Sequence, residues 1–288
     1  SRSSSACTKA ASPLRSRDGS AASVDDATKY YAQAPEEDRL KYGAALLEEA
    51  RTRELIQRYA PRPPAIVLDV GGGAGAYSFW LADLGYTVHL VDASPRLIAE
   101  AQRRGAAQLA SSRIGDARTL EFGDSQADIV LLMGPLYHLT EAADRAKTLA
   151  ESKRVLKPGG WFFGAVISRW ASALDGLGRD LFQDPRFAAI VMRDLEDGQH
   201  RNPTERLDYF TTAYFHKASE AVDEVRRAGF REPRIFGIEG PGWLLSDVAE
   251  RMNEPRQRAD LMMVAGIAES EPTLIGVSAH LLVVAQKP

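Results

Sequence analysis

The sequence of 288 residues contains one cysteine, Cys7, so the chain cannot form an internal disulfide bond. So low a cysteine content is typical of proteins in a reducing compartment, and it predicts a cytoplasmic location. The sequence also lacks any apolar run near the roughly 18 residues that a membrane-spanning helix needs. These absences disfavour a disulfide scaffold and a membrane span.

Basic residues are not in excess. The chain has 36 Lys and Arg against 39 Asp and Glu, and its net charge of −3 predicts no broad positive surface for nucleic acid or an acidic membrane. The five histidines form no HExxH motif and no Cys/His cluster, so we predict no metal site. With 44% hydrophobic residues, the chain can build the core of one large domain, with or without a lid.

The amino-terminal segment differs in composition from the rest. Residues 1–23 are rich in Ser, Ala and Arg, and Asp18 is their only acidic residue. We interpret residues 1–24 as a disordered tail or a leftover from cloning, with the remnant of an organelle-targeting segment as the alternative. The folded domain is expected over 25–288, beginning with an amphipathic helix from Glu36 to Tyr59.

Strand and helix patterns then alternate along the chain. This βαβ repetition predicts a parallel sheet with helices on both faces. Two further strands close the chain, and we expect the last one to run antiparallel. The predicted strands are 66–70, 87–92, 111–115, 128–133, 161–168, 234–238 and 277–285.

Two stretches fall outside the alternation, at 169–217 and 241–272. Both mix polar with aromatic residues, and both follow a predicted strand. Ligands of open α/β sheets bind at the carboxyl ends of the strands. We therefore interpret both stretches as helical insertions that form a lid over the site.

The most informative segment is the turn after the first strand, Gly71 to Gly75, with the sequence GGGAG. Glycines permit positive φ angles and let a ligand approach main-chain N–H groups. The following helix N-terminus favours an anionic group. Asp92 ends the second strand about 20 residues later, where it can accept hydrogen bonds from a ribose diol. Strand, turn, helix and spaced acid together predict a nucleoside-type cofactor.

A nicotinamide dinucleotide is the alternative cofactor, because Gly71, Gly73 and Ala76 satisfy the pattern G-x-G-x-x-G/A. Three features argue against it. Asp69 lies two residues before the first glycine, where a carboxylate can hold an ammonium group or water but offers nothing to a pyrophosphate. A second acid, Asp116, follows the third strand and can bond an adenine amino group. The expected antiparallel last strand also differs from a dinucleotide-binding fold.

In combination, these motifs resemble those of the class I S-adenosylmethionine-dependent methyltransferases, over about residues 30 to 168. The resemblance implies a Rossmann-like seven-stranded mixed sheet with only the last strand antiparallel, and S-adenosyl-L-methionine as the cofactor. The matching segments are Asp69 to Gly75, Asp92, Gly115 to Ala117, the strand 128–133, and Leu156 to Trp161 with its structural KPGG turn.

The resemblance also implies roles for individual residues. Asp92 takes the ribose hydroxyls, Asp116 takes the adenine together with the Ala117 backbone, and Met133 lies beside the methionine part. Tyr30 or Tyr31 closes over the cofactor. The full set of implied cofactor residues is Asp69, Gly71, Gly72, Gly73, Gly75, Asp92, Ala93, Asp116, Ala117 and Met133.

Candidates on the acceptor side follow the fourth strand, in the segment Met133 to His138. His138 is placed to act as a base for a hydroxyl or thiol, with a structural histidine bonded to the backbone as the alternative. Tyr137 is interpreted as a cavity wall rather than a reactant. The tetrapeptide GPLY lacks the Asn or Asp that relatives methylating nucleobases or glutamine carry there, which disfavours nucleic-acid and protein-amide substrates.

The lid supplies further substrate-site candidates. Tyr214 and His216 lie in DYFTTAYFH, which alternates aromatic with polar residues, and a plain strand that packs its aromatic rings is the alternative. Arg169 follows the fifth strand and is placed to meet an acidic acceptor, unless it is solvated. Trp243 follows a Gly-Pro-Gly turn and is expected to wall the pocket.

The sequence therefore predicts a methyltransferase for a small organic molecule, acting on oxygen, nitrogen or carbon by in-line displacement. Three alternatives are kept open: an NAD(P)-dependent oxidoreductase, an RNA methyltransferase, and an inactive binding protein with the same fold. The identity of the acceptor and the oligomeric state do not follow from the sequence.

Overall fold

The structure is a computed structural model that describes Tyr30, Leu40, residues 42–204 and residues 206–288. The strands are β1 (Ile66–Val70), β2 (Thr87–Asp92), β3 (Ser111–Ile114), β4 (Ala127–Leu132), β5 (Leu156–Ser168), β6 (Gln199–His200), β7 (Ala213–His216), β8 (Arg231–Gly237) and β9 (His280–Gln286). The helices are α1 (Ala45–Tyr59), α2 (Ala76–Asp83), α3 (Pro95–Gly105), α4 (Pro135–His138), α5 (Ala142–Val155), α6 (Ala171–Gly178), α7 (Pro185–Asp197), α8 (Ala218–Arg227), α9 (Val248–Asn253) and α10 (Pro255–Ala268).

Seven strands form the central sheet in the order β3-β2-β1-β4-β5-β9-β8. Strands β1 to β5 run parallel to one another. Strand β9 runs antiparallel to both β5 and β8, so the predicted mixed sheet with an antiparallel last strand is confirmed. At the carboxyl end of β5, Ile167 and Ser168 also pair with β7, which carries the short strand β6.

The sheet is covered on both faces because side chains alternate along each strand. On one face Leu131 and Phe163 belong to a core that includes residues of α1 and α2. On the other face Val130 and Phe162 pack with Leu149 of α5 and with α8. Burial on both faces explains why these strands read as nearly continuous apolar runs.

Two predicted boundaries differ from the structure. The amino-terminal helix begins at Ala45 rather than Glu36, and residues 42–44 form a turn before it. The KPGG segment lies within β5, where the register with β4 shifts between the pairs Ala127–Leu156 and Ile129–Trp161. The extra residues form an irregularity in the strand, so the predicted strand start at Trp161 was too late.

The two stretches interpreted as insertions, 169–217 and 241–272, contain several short elements. The first contains α6, α7, β6 and β7, and the second contains the 3₁₀ helix Gly240–Leu244 followed by α9 and α10. Segment 1–24 and Tyr31 lie outside the described residues, so their predictions stay untested. In the ranges that the structure describes, no helix combines the length and the apolar composition needed to cross a bilayer.

Candidate active site

The glycine turn between β1 and α2 is shaped mainly by contacts within the protein. Gly71 has a φ of +72°, and a Cβ there would overlap the ring of Pro135. A Cβ on Gly72 would lie 2.5 Å from an oxygen of Asp69. Gly73 differs, because its φ is +57° but its nearest neighbour, Leu97, would be 3.7 Å from a Cβ. Gly73 is therefore the glycine with space beside it.

Asp92 ends β2 and holds this turn. One carboxylate oxygen accepts a hydrogen bond from the Gly73 N–H and the other from the Ser94 N–H, each at 2.8 Å. Burial raises the pKa of Asp92, while these backbone hydrogen bonds oppose the rise. A carboxylate has about four lone-pair sites, so both oxygens can accept further bonds from a diol. Asp92 can thus hold the glycine turn and bind a ribose at the same time.

Asp69 lies at the base of the same turn and is fully buried. The Ser78 hydroxyl donates to its Oδ2 at 2.6 Å, whereas Oδ1 has no hydrogen-bond partner among the described residues. Burial raises the pKa of Asp69 to about 6, with the Ser78 hydrogen bond opposing and nearby Asp92 adding to the rise. A buried acceptor without a donor is costly. The unpartnered oxygen therefore fits a ligand that brings a donor.

The remaining predicted cofactor residues lie at the carboxyl ends of neighbouring strands. Asp116 and Ala117 follow β3, Ala93 follows β2 and Met133 follows β4. Asp116 is exposed, and Arg118 binds both of its oxygens at 2.6 and 3.0 Å. Partial burial raises the pKa of Asp116, but the Arg118 hydrogen bonds outweigh it and the net shift is downward. The structure thus brings the predicted cofactor set to one edge of the sheet.

A cavity of about 330 Å³ lies at this edge, within the usual size range of small-molecule sites. Its lining draws on both insertions, the start of α1 and the start of β9. Much of the wall is aromatic, from Tyr30, Tyr137, Tyr209, Phe210, Phe215 and Trp243. Trp243 is one of these lining residues, and its indole N–H donates to the Val277 carbonyl at 2.8 Å.

Tyr137 connects the cavity with the cofactor residues. Its hydroxyl donates to the Met133 carbonyl at 2.9 Å, and its ring lines the cavity. His138 packs against the Tyr137 ring, with ring centroids 4.7 Å apart, but is not part of the cavity lining. Burial lowers the pKa of His138 to about 4, against a hydrogen bond with the Thr212 backbone. A base works best with a pKa near the working pH, so His138 is poorly matched to that role.

Three predicted substrate residues lie away from the cavity lining. Arg169 is buried rather than solvated, and it donates to Glu220 at 2.7 Å and to the Phe215 carbonyl at 2.8 Å. Tyr214 packs under the guanidinium of Arg145, and His216 lies 3.5 Å from Glu224. Their places in the protein correct the prediction, because the other side of β7 faces the cavity.

The cavity wall in the first insertion is held by a buried polar cluster. Asp194 Oδ2 accepts the Ser172 hydroxyl at 2.6 Å and lies 2.9 Å from His200 Nδ1. His200 Nε2 lies 2.9 Å from the Tyr209 carbonyl, which only accepts, so this nitrogen carries a hydrogen. Phe210 has a φ of +65°, a conformation that costs a non-glycine residue about 1–3 kcal/mol. The cluster fixes this wall of the cavity.

Sequence reasoning missed a second polar cluster in the cavity, formed by Glu48, Glu239 and His280. Glu239 Oε1 lies 2.6 Å from His280 Nδ1, and its Oε2 accepts the His280 N–H at 3.1 Å. One ligand atom from each residue lies within 4.8 Å of the others, a spacing that can hold a cation. Both oxygens of Glu239 are directed to His280. No motif could have signalled this cluster, because its members come from three distant segments.

Comparison with known proteins agrees with this geometry. Residues 68–164 match a family model described as a methyltransferase domain. The ubiquinone/menaquinone biosynthesis C-methyltransferase UbiE of Acidiphilium cryptum is 30% identical over 210 residues, covering 67% of this chain and 79% of that protein. The ubiquinone biosynthesis O-methyltransferase of Caulobacter vibrioides is 33% identical over 118 residues, covering 40% of this chain and 46% of that protein.

Solved structures show the same fold. An S-adenosylmethionine-dependent methyltransferase from Mesorhizobium loti aligns with a TM-score of 0.57 and 17% identity, covering 83% of this chain and 99% of that one. An S-adenosylmethionine-dependent methyltransferase from Methanosarcina mazei aligns with a TM-score of 0.53 and 20% identity, covering 81% and 96%. At such identities the likeness concerns the fold alone.

Proposed function

The chain belongs to the class I S-adenosylmethionine-dependent methyltransferases and transfers a methyl group to a small organic molecule, and we propose that this acceptor is an aromatic ring of the quinol type. The C- and O-methyltransferases that resemble the chain are named for ubiquinone or menaquinone biosynthesis. Neither the NAD(P)-dependent oxidoreductase nor the RNA methyltransferase finds support in these matches.

The aromatic cavity is the observation that carries the proposal. Rings that line a cavity of about 330 Å³ offer flat apolar contacts to a ring of similar size. No Lys or Arg is among the described lining residues, so the cavity suits a neutral ring better than an anionic acceptor. Polar groups at Glu48, Glu239 and His280 are available to ring hydroxyls.

The cofactor residues are proposed in the roles that the sequence suggested. The S-adenosylmethionine sulfonium supplies a methyl group already activated for displacement. Asp92 accepts the ribose hydroxyls while it holds the Gly73 N–H. Asp116 and Ala117 take the adenine, and the unpartnered oxygen of Asp69 meets a donor of the cofactor, directly or through water. The fit of the site to this cofactor is supported by that buried, unpartnered acceptor.

Tyr137 is proposed as the wall between the two ligands. The hydrogen bond from its hydroxyl to the Met133 carbonyl fixes its ring where the cofactor residues end and the cavity begins. Holding the acceptor in line with the methyl group supplies several kcal/mol, up to about 7–11 kcal/mol in the best cases. Residues 169–217 and 241–272 form the lid, supported by their contributions to the lining.

The test separates acceptor binding from cofactor binding. Labelled S-adenosylmethionine is incubated with the protein and a panel of reduced benzoquinones and naphthoquinones, amines and thiols, and products are identified by mass. We expect label in the reduced quinones. Ala45→Phe, which fills the cavity from α1, should abolish transfer and leave cofactor affinity unchanged.

The matched control for that variant is Ala107→Phe, at an exposed alanine outside the cavity lining. It should behave as the unmodified protein in both measurements. Labelled amines without labelled quinols would contradict the proposed acceptor, and full transfer by Ala45→Phe would contradict the proposed cavity. Loss of cofactor binding in Ala45→Phe would also contradict the separation of the two sites.

We also propose a cytoplasmic location for the activity. Support comes from the single cysteine of the chain, which suits a reducing compartment. Activity recovered in the cytosolic fraction of the source cells would agree with this location. Recovery in an organelle fraction would instead favour the targeting interpretation of residues 1–24.

A further inference from the structure

We propose that His280, oriented by Glu239, is the catalytic residue that accepts the proton lost by the acceptor during methyl transfer. This inference rests on the proposed function, because it concerns an acceptor hydroxyl in the same cavity. His280 begins β9, where it pairs with Ile167 near the carboxyl end of β5. Both residues line the cavity, so a ring that fills it lies beside the imidazole.

Glu239 fixes both the orientation and the hydrogen positions of His280. One carboxylate oxygen lies 2.6 Å from the ring nitrogen Nδ1, and the other accepts the backbone N–H of the same residue at 3.1 Å. Glu239 is 2% exposed, so water does not compete for these bonds. An ionised carboxylate only accepts, which places the hydrogen on Nδ1 and makes Nε2 the basic nitrogen.

The charges around His280 favour a proton acceptor. Glu48 on α1 places a carboxylate oxygen 3.7 Å from Nδ1, in addition to that of Glu239. Arg51 on the same helix donates to the Ile238 carbonyl, next to Glu239 in sequence, and its other nitrogens are engaged by Glu54 and Glu269. Two carboxylates facing one imidazole stabilise its protonated form.

His138 lies in the opposite environment. Burial lowers the pKa of its imidazole to about 4, and no carboxylate is among the causes of that shift. It therefore stays neutral near pH 7 and holds a proton poorly. His200 also lines the cavity, but its Nε2 is bonded to the Tyr209 carbonyl and is not available to accept a proton. Among these three histidines, His280 has the surroundings that a base requires.

The proposed step balances without a further reactant. The acceptor O–H bond breaks and its proton passes to Nε2 of His280. The released electron pair, on the oxygen or shared with the ring carbon, forms the bond to the methyl carbon as the carbon–sulfur bond breaks and its pair goes to sulfur. When a ring carbon is methylated, that carbon then loses its own proton to solvent and the oxygen regains one, which restores the ring and its hydroxyl. The imidazolium returns its proton to solvent, so each turnover releases one proton.

The first experiment needs no acceptor. Histidine labelled with ¹⁵N in the ring is incorporated into the full chain, and the nitrogen signals are followed by NMR against pH, with His280→Gln and His138→Gln used for assignment. We expect His280 to keep its hydrogen on Nδ1 and to become protonated at a higher pH than His138. Glu239→Gln should lower the His280 midpoint by about one pH unit or more.

The second experiment measures turnover with a quinol that accepts label in the panel. His280→Gln should lower kcat by about 10²–10⁴-fold and remove the acidic limb of its pH profile, with S-adenosylmethionine affinity unchanged. His89→Gln is the control, because this histidine lies on β2 and bonds Ser111 away from the cavity. Full turnover in His280→Gln would overturn the inference. An unchanged titration midpoint of His280 in Glu239→Gln would overturn it as well. If no compound in the panel accepts label, the proposed function is contradicted instead. The NMR titration of His280 then still tests the inference about that residue.

Discussion

Asp69→Asn is expected to make the protein more stable and its cofactor binding weaker. Burial raises the pKa of Asp69 from its ordinary 3.8 to about 6. Each tenfold change in proton affinity is worth about 1.4 kcal/mol, so the ionised carboxylate costs the folded protein about 3 kcal/mol above pH 6. Asn carries no charge and can still accept the Ser78 hydroxyl. The amide group that replaces the unpartnered oxygen is itself left without a partner, which offsets part of this gain. The net increase in the free energy of unfolding is therefore about 1–3 kcal/mol.

The pH dependence of this gain is the sharper measurement. The folded protein binds the Asp69 proton more tightly than the unfolded chain, so this residue lowers stability as pH rises from 3.8 to about 6. The difference in unfolding free energy between Asp69→Asn and the unmodified protein should be about 1–2 kcal/mol larger at pH 8 than at pH 5. Urea unfolding at pH 5, 6 and 8 gives that difference directly.

Asp83→Asn is the matched control, since Asp83 is exposed at the end of α2. Its effect on unfolding should be small and equal at every pH. A difference for Asp69→Asn that does not grow from pH 5 to pH 8 would refute the argument from burial. Calorimetric titration with S-adenosylmethionine checks the second part, and unchanged affinity would remove Asp69 from the cofactor site.

Three further predictions concern the same framework. Asp92→Ala should weaken S-adenosylmethionine binding at least about tenfold by calorimetry, because charge-assisted hydrogen bonds contribute about 1.5–3 kcal/mol each. Gly71→Ala should lower the free energy of unfolding by about 1–3 kcal/mol, because its Cβ overlaps Pro135 at a φ of +72°. Glu224→Ala should cost about 3–5 kcal/mol, because it leaves buried Arg145 without its 2.7 Å partner. Although burial opposes it, hydrogen bonds lower the pKa of Glu224 to about 2, so this stability is present above its ordinary 4.5 and lost as pH falls toward 2.

Each of these changes has a comparison. Asp92→Asn keeps an acceptor for the Gly73 N–H and should lose less affinity than Asp92→Ala. Gly159→Ala shares a φ of +76° but meets nothing within 4 Å, so it should cost less than the Gly71 variant. Glu224→Gln keeps hydrogen bonds to Arg145 and should fall between. Reversal of any of these orders would contradict the contact that it tests.

The position of the proposed cofactor residues at one edge of the sheet was predictable because its signals are local. The glycine turn joins β1 directly to α2, and Asp92 ends the strand that pairs with β1. Neighbouring parallel strands bring such residues to one edge without any knowledge of distant packing. The antiparallel closure by β9 followed from the position of that strand at the end of the chain.

The acceptor side was less predictable because it depends on contacts between distant segments. Alternation in β7 predicted two faces but not which one meets the cavity. Tyr214 packs against Arg145 of α5, and His216 lies beside Glu224 of α8. Arg145 and Glu224 also form an ion pair. Phe215, on the other side of β7, therefore faces the cavity. His280 sits in a strand pattern that reads as interior, and only the folded chain brings Glu48 and Glu239 to it.

Separate segments of the chain serve the proposed cofactor and the proposed acceptor, and this separation has a consequence for engineering. The proposed cofactor contacts fall between Asp69 and Met133, whereas all of the described cavity lining comes from outside that segment. Tyr137 is the lining residue that hydrogen-bonds back to it. Grafting foreign loops over 169–217 and 241–272 should therefore redirect the enzyme to new substrates without retuning its methyl donor.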